Sequence, residues 1–307
     1  MKKFKNIFLL FIPPVIWGFS FVAQTVAIDT NIGSMSFNMA KYILGTSSLI
    51  PILFIFDRKD NKEFQKESLK PLLKYAGLAG CVLFLAAWTQ QYGMELGVKL
   101  GVANITGLAG FITAIYIIFV PIIRFFGGKK TNIQTLIGAL LAIIGLYLLC
   151  VTDGIGSITK SHMFLLICAV LFAFHIIIID RYAGKFSPIK FSMVQFAVVA
   201  ILSTICAFIF EEPNVEQIKQ AGLPLLYSGI GSVGIAYTFQ TISQKNADPT
   251  FAGIVFSTES VFSAVGGALI LHEIMTARGY LGCVIIFTGV ILSQIEIKKN
   301  TTKESSL

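Results

Sequence analysis

The stretch Ala87-Trp88-Thr89-Gln90-Gln91 returns in related form later in the chain, as Ala236-Tyr237-Thr238-Phe239-Gln240. The same offset aligns further identical residues, and a small change of register aligns two pairs of glycines: Ala103 with Ala252, Ile105 with Ile254, Gly138 with Gly282 and Gly145 with Gly289. The change of register falls in a charged turn near Gly127, where a loop insertion costs little free energy. The two halves of the chain are therefore predicted to be copies of one unit.

The composition places this unit in a membrane. The chain has 307 residues, of which 55% are hydrophobic and 13% charged, and its mean hydropathy is +0.79. A soluble globular chain carries about 25% charged residues, so this chain has too few to cover its surface in water. The formal net charge of +8 does not indicate nucleic-acid binding, because the Lys and Arg residues lie in short connections between apolar runs.

Apolar runs of about 20 residues are long enough to cross a bilayer as helices. The sequence predicts an all-α integral membrane fold with ten such spans, at 7–28, 34–56, 72–94, 100–123, 132–151, 162–180, 188–210, 221–244, 250–271 and 277–296. The connections between these spans are short, so no soluble domain is expected to interrupt the bundle.

The distribution of basic residues predicts the orientation. If the N-terminus is cytoplasmic, the outer side holds only Lys99, Lys160, Lys219 and Arg278, and nearly all other Lys and Arg residues lie inside. This bias predicts a multi-pass protein of the cytoplasmic membrane with both termini in the cytoplasm. The longest connection, near 57–71, is a mixed-charge amphipathic stretch on the cytoplasmic side.

Two halves of five spans each must be inserted in opposite senses, because five is an odd number. We therefore predict a first repeat at 1–152, an inverted second repeat at 153–297 and a disordered cytoplasmic tail at 298–307. Inverted repeats are common in secondary transporters, which place their binding site near the bilayer midplane where the halves meet.

Polar and aromatic residues mark candidate walls for such a site. Tyr237, Gln240, Thr241 and Gln244 are spaced i, i+3, i+4 and i+7, which places them on one face of span eight. A polar stripe on a spanning helix must face protein or water, so it either lines a cavity or forms interhelical hydrogen bonds. The predicted substrate-binding residues are Trp17, Trp88, Gln91, Thr113, Tyr116, Tyr237, Gln240, Thr241 and Gln244.

Three acidic or basic residues lie inside spans and away from the span ends. Glu259 is about nine residues, or about 14 Å, into span nine, where a charge costs about 2.5–3.5 kcal/mol. It is either a cation-binding or protonatable coupling group or a neutral packing residue. His175 lies at similar depth and is either a proton carrier, conceivably paired with Glu259, or a hydrogen-bonded core residue. Lys41 has either an anion-binding role or a structural role near the outer gate.

The sequence gives little support for ATP hydrolysis, metal binding or catalysis. No Walker sequence, paired-histidine metal motif or nucleophile elbow occurs, so we expect no catalytic residues, no metal and no cofactor. The cysteines all lie in apolar runs without metal-like spacing and are interpreted as small packing residues: Cys81, Cys150, Cys168, Cys206 and Cys283. The histidines are His162, His175 and His272, on widely separated segments, which argues against an enzyme.

Several stretches resemble the EamA-type transporters of the drug/metabolite transporter superfamily. They are Trp17-Gly18, the run 107–116 with Val120-Pro121, and the region from Gln244-Lys245 through 257–262 and Gly266-Gly267 to His272-Glu273. The resemblance covers about residues 7 to 296. It implies a ten-helix bundle that carries small metabolites or amphipathic compounds across the cytoplasmic membrane, and it identifies no substrate.

The sequence thus favours a secondary transporter that works by alternating access, with export favoured over uptake. Its expected partners are the lipid bilayer and a small-molecule substrate (an amino acid, another metabolite or a drug-like compound), with a proton as one candidate coupling ion and no nucleic acid. We expect a monomer or a homodimer. The alternatives are a membrane-embedded lipid-modifying enzyme and a passive channel.

Overall fold

A computed structural model describes residues 9–58, 68–128, 133–150, 159–245, 247–274 and 276–293. Within these ranges all regular secondary structure is helical. The predicted tail at 298–307 lies outside the described residues, and so does most of the predicted connection at 57–71.

Each of the ten predicted apolar ranges contains helix among its described residues. The α-helices are α1 Ile12–Ile28, α2 Ser34–Arg58, α3 Leu69–Lys99, α4 Ile105–Ala114, α5 Tyr116–Phe126, α6 Ile133–Cys150, α7 Lys160–Tyr182, α8 Pro188–Phe210, α9 Val215–Gln220, α10 Gly222–Leu226, α11 Thr238–Gln244, α12 Pro249–Phe256, α13 Glu259–Ile270 and α14 Ala277–Ser293. A π-helix, Tyr227–Tyr237, joins α10 to α11, and a short 3-10 turn, Ala183–Lys185, follows α7.

The all-α membrane class is confirmed. Among the described residues, five helical stretches are long and apolar enough to cross a bilayer: Leu69–Lys99, Ile105–Phe126, Lys160–Lys185, Pro188–Phe210 and Pro249–Ile270. Many large apolar side chains on the outside of the bundle are exposed, such as Phe126 at 84% and Ile274 at 83%. Apolar exposure on this scale is expected where the surrounding medium is lipid. The number of spans and their inverted pairing remain predictions.

The helices pair across the two halves of the chain. The most extensive contacts join α6 to α14, α3 to α7, α2 to α8, α3 to α8 and α1 to α13. Small residues allow the closest approaches: a Cβ added to Gly145 would lie 2.6 Å from the carbonyl oxygen of Gly282, and one on Gly289 would lie 2.7 Å from that of Gly138. The matching glycines of the repeat are therefore contact points between helices, as expected for small residues in membrane bundles.

Two of the predicted spans are broken near their middle. Span four is interrupted at Ile115, between α4 and α5, and span nine at Ser257 and Thr258, between α12 and α13. The hydroxyls of Ser257 and Thr258 donate to the carbonyl oxygens of Ile254 and Val255, each at 2.7 Å. Back-bonding of this kind competes with the helical ladder and bends helices, which explains the break in span nine.

Carboxylates cap the starts of helices from the other half of the chain. Glu211, which follows α8, accepts hydrogen bonds from the backbone N–H groups of Met35 and Ser36, each at 2.8 Å. Glu273, beyond α13, accepts from those of Thr106 and Gly107 at 3.2 and 3.3 Å. Anionic groups are favourable at helix N-termini because the helix dipole is positive there. Both contacts lie at the same end of the bundle.

The opposite end of the bundle is tied by an ion pair. Arg124, near the end of α5, donates to the carboxylate of Asp248 at 2.6 Å and to the hydroxyl of Thr250 at 2.9 Å. Asp248 also accepts from the backbone N–H groups of Thr250 and Phe251, which makes it the N-cap of α12. The halves are therefore linked by charged groups at both ends.

Candidate functional site

A small cavity of 30 Å³ lies where the two halves of the bundle meet. Its walls come from α1, α2, α3 and α5 in the first half and from α7, the π-helix, α11, α12 and α13 in the second. Five of the predicted site residues line it: Trp17, Tyr116, Tyr237, Gln240 and Glu259.

Glu259 and Tyr116 each follow directly on a helix break, as the first residues of α13 and α5. Glu259 is only 4% exposed, and its Oε1 has no hydrogen-bond partner. The Tyr116 hydroxyl is buried next to this carboxyl group and interacts with it. Gly18 allows this part of α13 to pack closely against α1, since a Cβ added at position 18 would lie 2.8 Å from the Glu259 carbonyl oxygen. The breaks therefore bring an acidic and a phenolic group together inside the bundle.

Aromatic rings form one wall of the cavity. The ring of Trp17 lies 4.8 Å from that of Tyr237 and 5.5 Å, edge-on, from that of Phe256. The indole N–H of Trp17 is buried and donates to no described group. Such a wall offers apolar area and ring faces to a ligand, together with a free donor.

Amides and hydroxyls complete the lining. Gln24 donates to the Ser20 carbonyl oxygen of its own helix at 3.2 Å, which leaves its Oε1 unpaired. The Oγ of Ser20 and the Oε1 of Gln240 are also buried without a partner. Gln90 donates to the Thr113 hydroxyl at 3.3 Å. Because buried polar groups are nearly always hydrogen-bonded, unpaired ones around a cavity indicate positions for a polar ligand.

Lys41 also lines this cavity and is only 3% exposed. Its ammonium lies 5.8 Å from the ring centre of Phe37 and 5.5 Å from that of Tyr42. Of the two roles that the sequence left open, this position agrees better with ligand binding than with a purely structural role.

Three predicted residues of the first half, Trp88, Gln91 and Thr113, lie outside the lining. Trp88 stacks on Tyr92 with 6.0 Å between ring centres and meets Phe164 edge-on at 6.3 Å. Gln91 is fully buried, and neither its Oε1 nor its Nε2 is paired. Gln90, one residue earlier and thus on a different face of α3, reaches the cavity instead.

The remaining predicted residues form hydrogen bonds within the bundle. Thr113 accepts from Gln90, as described above. Thr241 donates to the Tyr237 carbonyl oxygen at 2.9 Å and accepts from Ser192 at 3.1 Å. Gln244 donates to the carbonyl oxygen of Ile176 at 2.6 Å. The stripe on span eight is therefore divided: Tyr237 and Gln240 line the cavity, whereas Thr241 and Gln244 hold helices together.

The structure does not join His175 to Glu259. His175 is fully buried, and its Nε2 shares a hydrogen bond of 3.0 Å with Gln195 Oε1. Its ring meets that of Tyr237 edge-on at 6.0 Å. His175 therefore supports the cavity wall from behind rather than lining it.

Residues that the sequence analysis did not select include Ser20, Gln24 and Gln90. A usable signal existed for two of them, because Trp17, Ser20, Phe21 and Gln24 are spaced i, i+3, i+4 and i+7 and form one face of α1. For metals, no group of three or more His, Cys, Asp or Glu side chains suited to an ion occurs among the described residues.

Comparison with known proteins decides the family. The model of the EamA-like transporter family matches residues 4–151 and again residues 159–294. The chain belongs to the EamA-like transporter family. It is accordingly a multi-pass membrane transporter, and the family implies a small-molecule substrate.

Individual relatives agree with this assignment. The chain is 25% identical over 284 residues to an uncharacterized transporter of Archaeoglobus fulgidus, covering 92% of this chain and 83% of that one. It is 27% identical over 291 residues to the uncharacterized transporter YoaV of Bacillus subtilis, covering 91% and 93%. A solved structure titled only "Crystal structure of protein" has a TM-score of 0.73 at 18% identity, covering 95% of this chain and 98% of that one. That likeness concerns the fold alone.

Proposed function

We propose that this transporter is a secondary carrier that moves a small metabolite or amphipathic compound by alternating access, with the central cavity as its binding site. The observation that carries the proposal is a cavity between the two halves whose lining combines aromatic and polar side chains, among them Trp17, Tyr116, Gln240 and Glu259. Amide, phenolic and aromatic groups are typical of small-ligand sites. The helix breaks beside Tyr116 and Glu259 agree with carriers, whose sites are typically built on discontinuous helices.

The direction of the paired helices supports the inverted repeat. Gly145 approaches Gly282 while Gly138 approaches Gly289, so α6 and α14 run antiparallel. The start of α2 meets the end of α8 through Glu211 in the same way. A pseudo-two-fold axis in the membrane plane relates helices in this manner. We therefore propose repeats at 1–152 and 153–297, with both termini in the cytoplasm.

The cavity is too small to hold a substrate in this conformation. A water molecule needs about 10–15 Å³ on this measure, so 30 Å³ holds about two and no metabolite. Substrate entry therefore requires the halves to separate at one end. The carboxylate caps at one end and the Arg124–Asp248 pair at the other are the contacts that would have to open in turn.

Glu259 is the proposed coupling group. It is buried beside the cavity with one carboxyl oxygen unpaired, so it can bind either a proton or a cationic group of the substrate. His175, bonded to Gln195, is assigned a supporting role. Export remains the favoured direction, with a proton as one candidate coupling ion.

Counterflow in proteoliposomes tests the proposal. A thermal-shift screen of metabolites and cationic drugs first identifies a solute that binds the protein. This solute is then added in radiolabelled form to vesicles that are loaded with the same solute unlabelled. A carrier accelerates uptake of the label into loaded vesicles compared with empty ones. A passive channel shows no acceleration, and a lipid-modifying enzyme shows converted lipid without counterflow; either result would refute the proposed carrier.

A further inference from the structure

We infer that Lys41 is the binding site for an acidic group, specifically a carboxylate, on the transported molecule. The inference rests on the proposed function and adds the chemical class of the substrate. Lys41 is a basic residue in the lining of the central cavity and is almost completely buried. No carboxylate of a described residue forms an ion pair with it.

An unpaired buried cation requires a physical reason, because such groups in membrane segments are costly and mark substrate or ion pathways. The rings of Phe37 and Tyr42, on the same helix, lie within cation–π distance of the ammonium. These rings offset part of the cost without neutralising the charge. The remaining positive charge is available to an anion that enters the cavity.

The chemistry of the neighbours favours a carboxylate over a more highly charged anion. Lys41 is the one basic side chain among the described residues that line the cavity, and Glu259 stands in the same lining. A phosphate dianion would meet one cation and an acidic group, whereas a singly charged carboxylate matches the single ammonium. Ser232 and Gln24, which also line the cavity, can hydrogen-bond to polar atoms next to the acid.

The position of Glu259 adds a second consequence. Lys41 and Glu259 share one cavity and form no ion pair with each other. A substrate with a carboxylate for Lys41 and an ammonium for Glu259 would match both groups. The aromatic wall of Trp17, Tyr237 and Phe256 would accept its apolar part.

Probes that share a phenyl ring and a two-carbon chain test the assignment in the purified full-length protein. We choose 3-phenylpropionate, its neutral amide 3-phenylpropionamide, and phenethylamine. Binding is measured by tryptophan fluorescence in a Trp88→Phe background, in which the signal comes from Trp17, which lines the same cavity. A hydrogen bond to a charged group predicts that the protein with Lys41 intact binds the acid roughly tenfold to a hundredfold more tightly than the amide. Lys41→Met should remove this preference, and Lys41→Arg should retain most of it.

Two results would overturn the inference: no preference for the acid in the protein with Lys41 intact, or a preference that survives in Lys41→Met. The comparison of the acid with the amide requires no Lys41 variant, so it stands even if such a variant folds poorly. Counterflow of labelled phenethylamine separates this inference from the proposed function. If phenethylamine shows counterflow but the protein does not bind the acid more tightly than the amide, Lys41 has no role in acid binding and the proposed carrier stands. If the acid binds in a way that depends on Lys41 but no probe shows counterflow, the acid-binding role of Lys41 stands and the proposed carrier is contradicted.

Discussion

Glu211 offers the sharpest test of how the bundle opens. Its Oε1 accepts hydrogen bonds from the Met35 N–H at 2.8 Å and from the Ser34 hydroxyl at 3.5 Å, and its Oε2 accepts one from the Ser36 N–H at 2.8 Å. In Glu211→Gln one oxygen becomes an NH₂ group, which cannot accept and would face a backbone N–H. The variant therefore loses one charge-assisted hydrogen bond from a backbone N–H and weakens the other.

The size of this loss follows from the contacts. A hydrogen bond to a charged group contributes about 1.5–3 kcal/mol, and the lost negative charge at the start of α2 adds about 0.3–1 kcal/mol. If these contacts form only when this end of the bundle is closed, the equilibrium shifts toward the open form by at least roughly tenfold. Glu212→Gln is the matched control, because Glu212 is the next residue and is exposed.

The assay measures how fast a cysteine introduced into the cavity reacts with a thiol reagent. Gln24→Cys, in a background without the native cysteines, is treated with a water-soluble thiol reagent in the Glu211→Gln, Glu212→Gln and parent proteins. We expect labelling to be at least roughly tenfold faster in Glu211→Gln, in proportion to the open population, and unchanged in Glu212→Gln. A folded Glu211→Gln protein that reacts at the parent rate would refute the reasoning, since the cap would then persist in both states.

Three further outcomes follow from the site and the packing. Glu259→Gln should abolish concentrative transport while the unfolding temperature stays equal or rises, because a buried acid is replaced by a neutral amide; an unchanged transport rate and pH dependence would exclude Glu259 from coupling. Gly145→Ala should lower the free energy of unfolding by about 1–3 kcal/mol, because the added methyl group overpacks against Gly282. Gly77→Ala should raise it slightly, because a Cβ at position 77 meets open space. Equal effects of the two variants would contradict the packing argument. Gln240→Ala should weaken substrate binding at unchanged stability, whereas Gln244→Ala should cost about 1 kcal/mol of stability through its lost hydrogen bond to Ile176. Calorimetry measures the stability and a titration measures the binding, and a reversed pattern would contradict the assignment.

The positions of the helices could be predicted from the sequence because apolar length is a direct requirement of the bilayer. Each predicted range contains helix among its described residues, although α3 extends to Lys99 and α4 begins only at Ile105. The breaks were not predicted. At Ser257 and Thr258 the hydroxyls bond to carbonyl oxygens of their own helix, and hydropathy does not detect a competition between side chain and backbone.

The candidate site was predicted in part. Helical spacing correctly grouped Tyr237 with Gln240, and the depth of Glu259 along its span placed it at the cavity. The repeat suggested that Gln91 corresponds to Gln240, yet Gln90 reaches the cavity instead. A physical reason lies in the π-helix Tyr227–Tyr237, which precedes Gln240 and has no counterpart in α3. A π-helix has more residues per turn, so it rotates the following side chains to a different face.

The unpaired groups around the cavity connect stability to function. Trp17 Nε1, Ser20 Oγ, Gln24 Oε1, Gln240 Oε1 and Glu259 Oε1 are all buried without a hydrogen-bond partner. Each such group costs about 1–3 kcal/mol, and apolar side chains of similar size would remove that cost. A fold that retains several of them around one cavity is stabilised by whatever pairs with them. The cavity in this state has room for about two water molecules, which can pair with some of these groups. A metabolite can pair with them only after the halves move apart, which is the motion that alternating access needs.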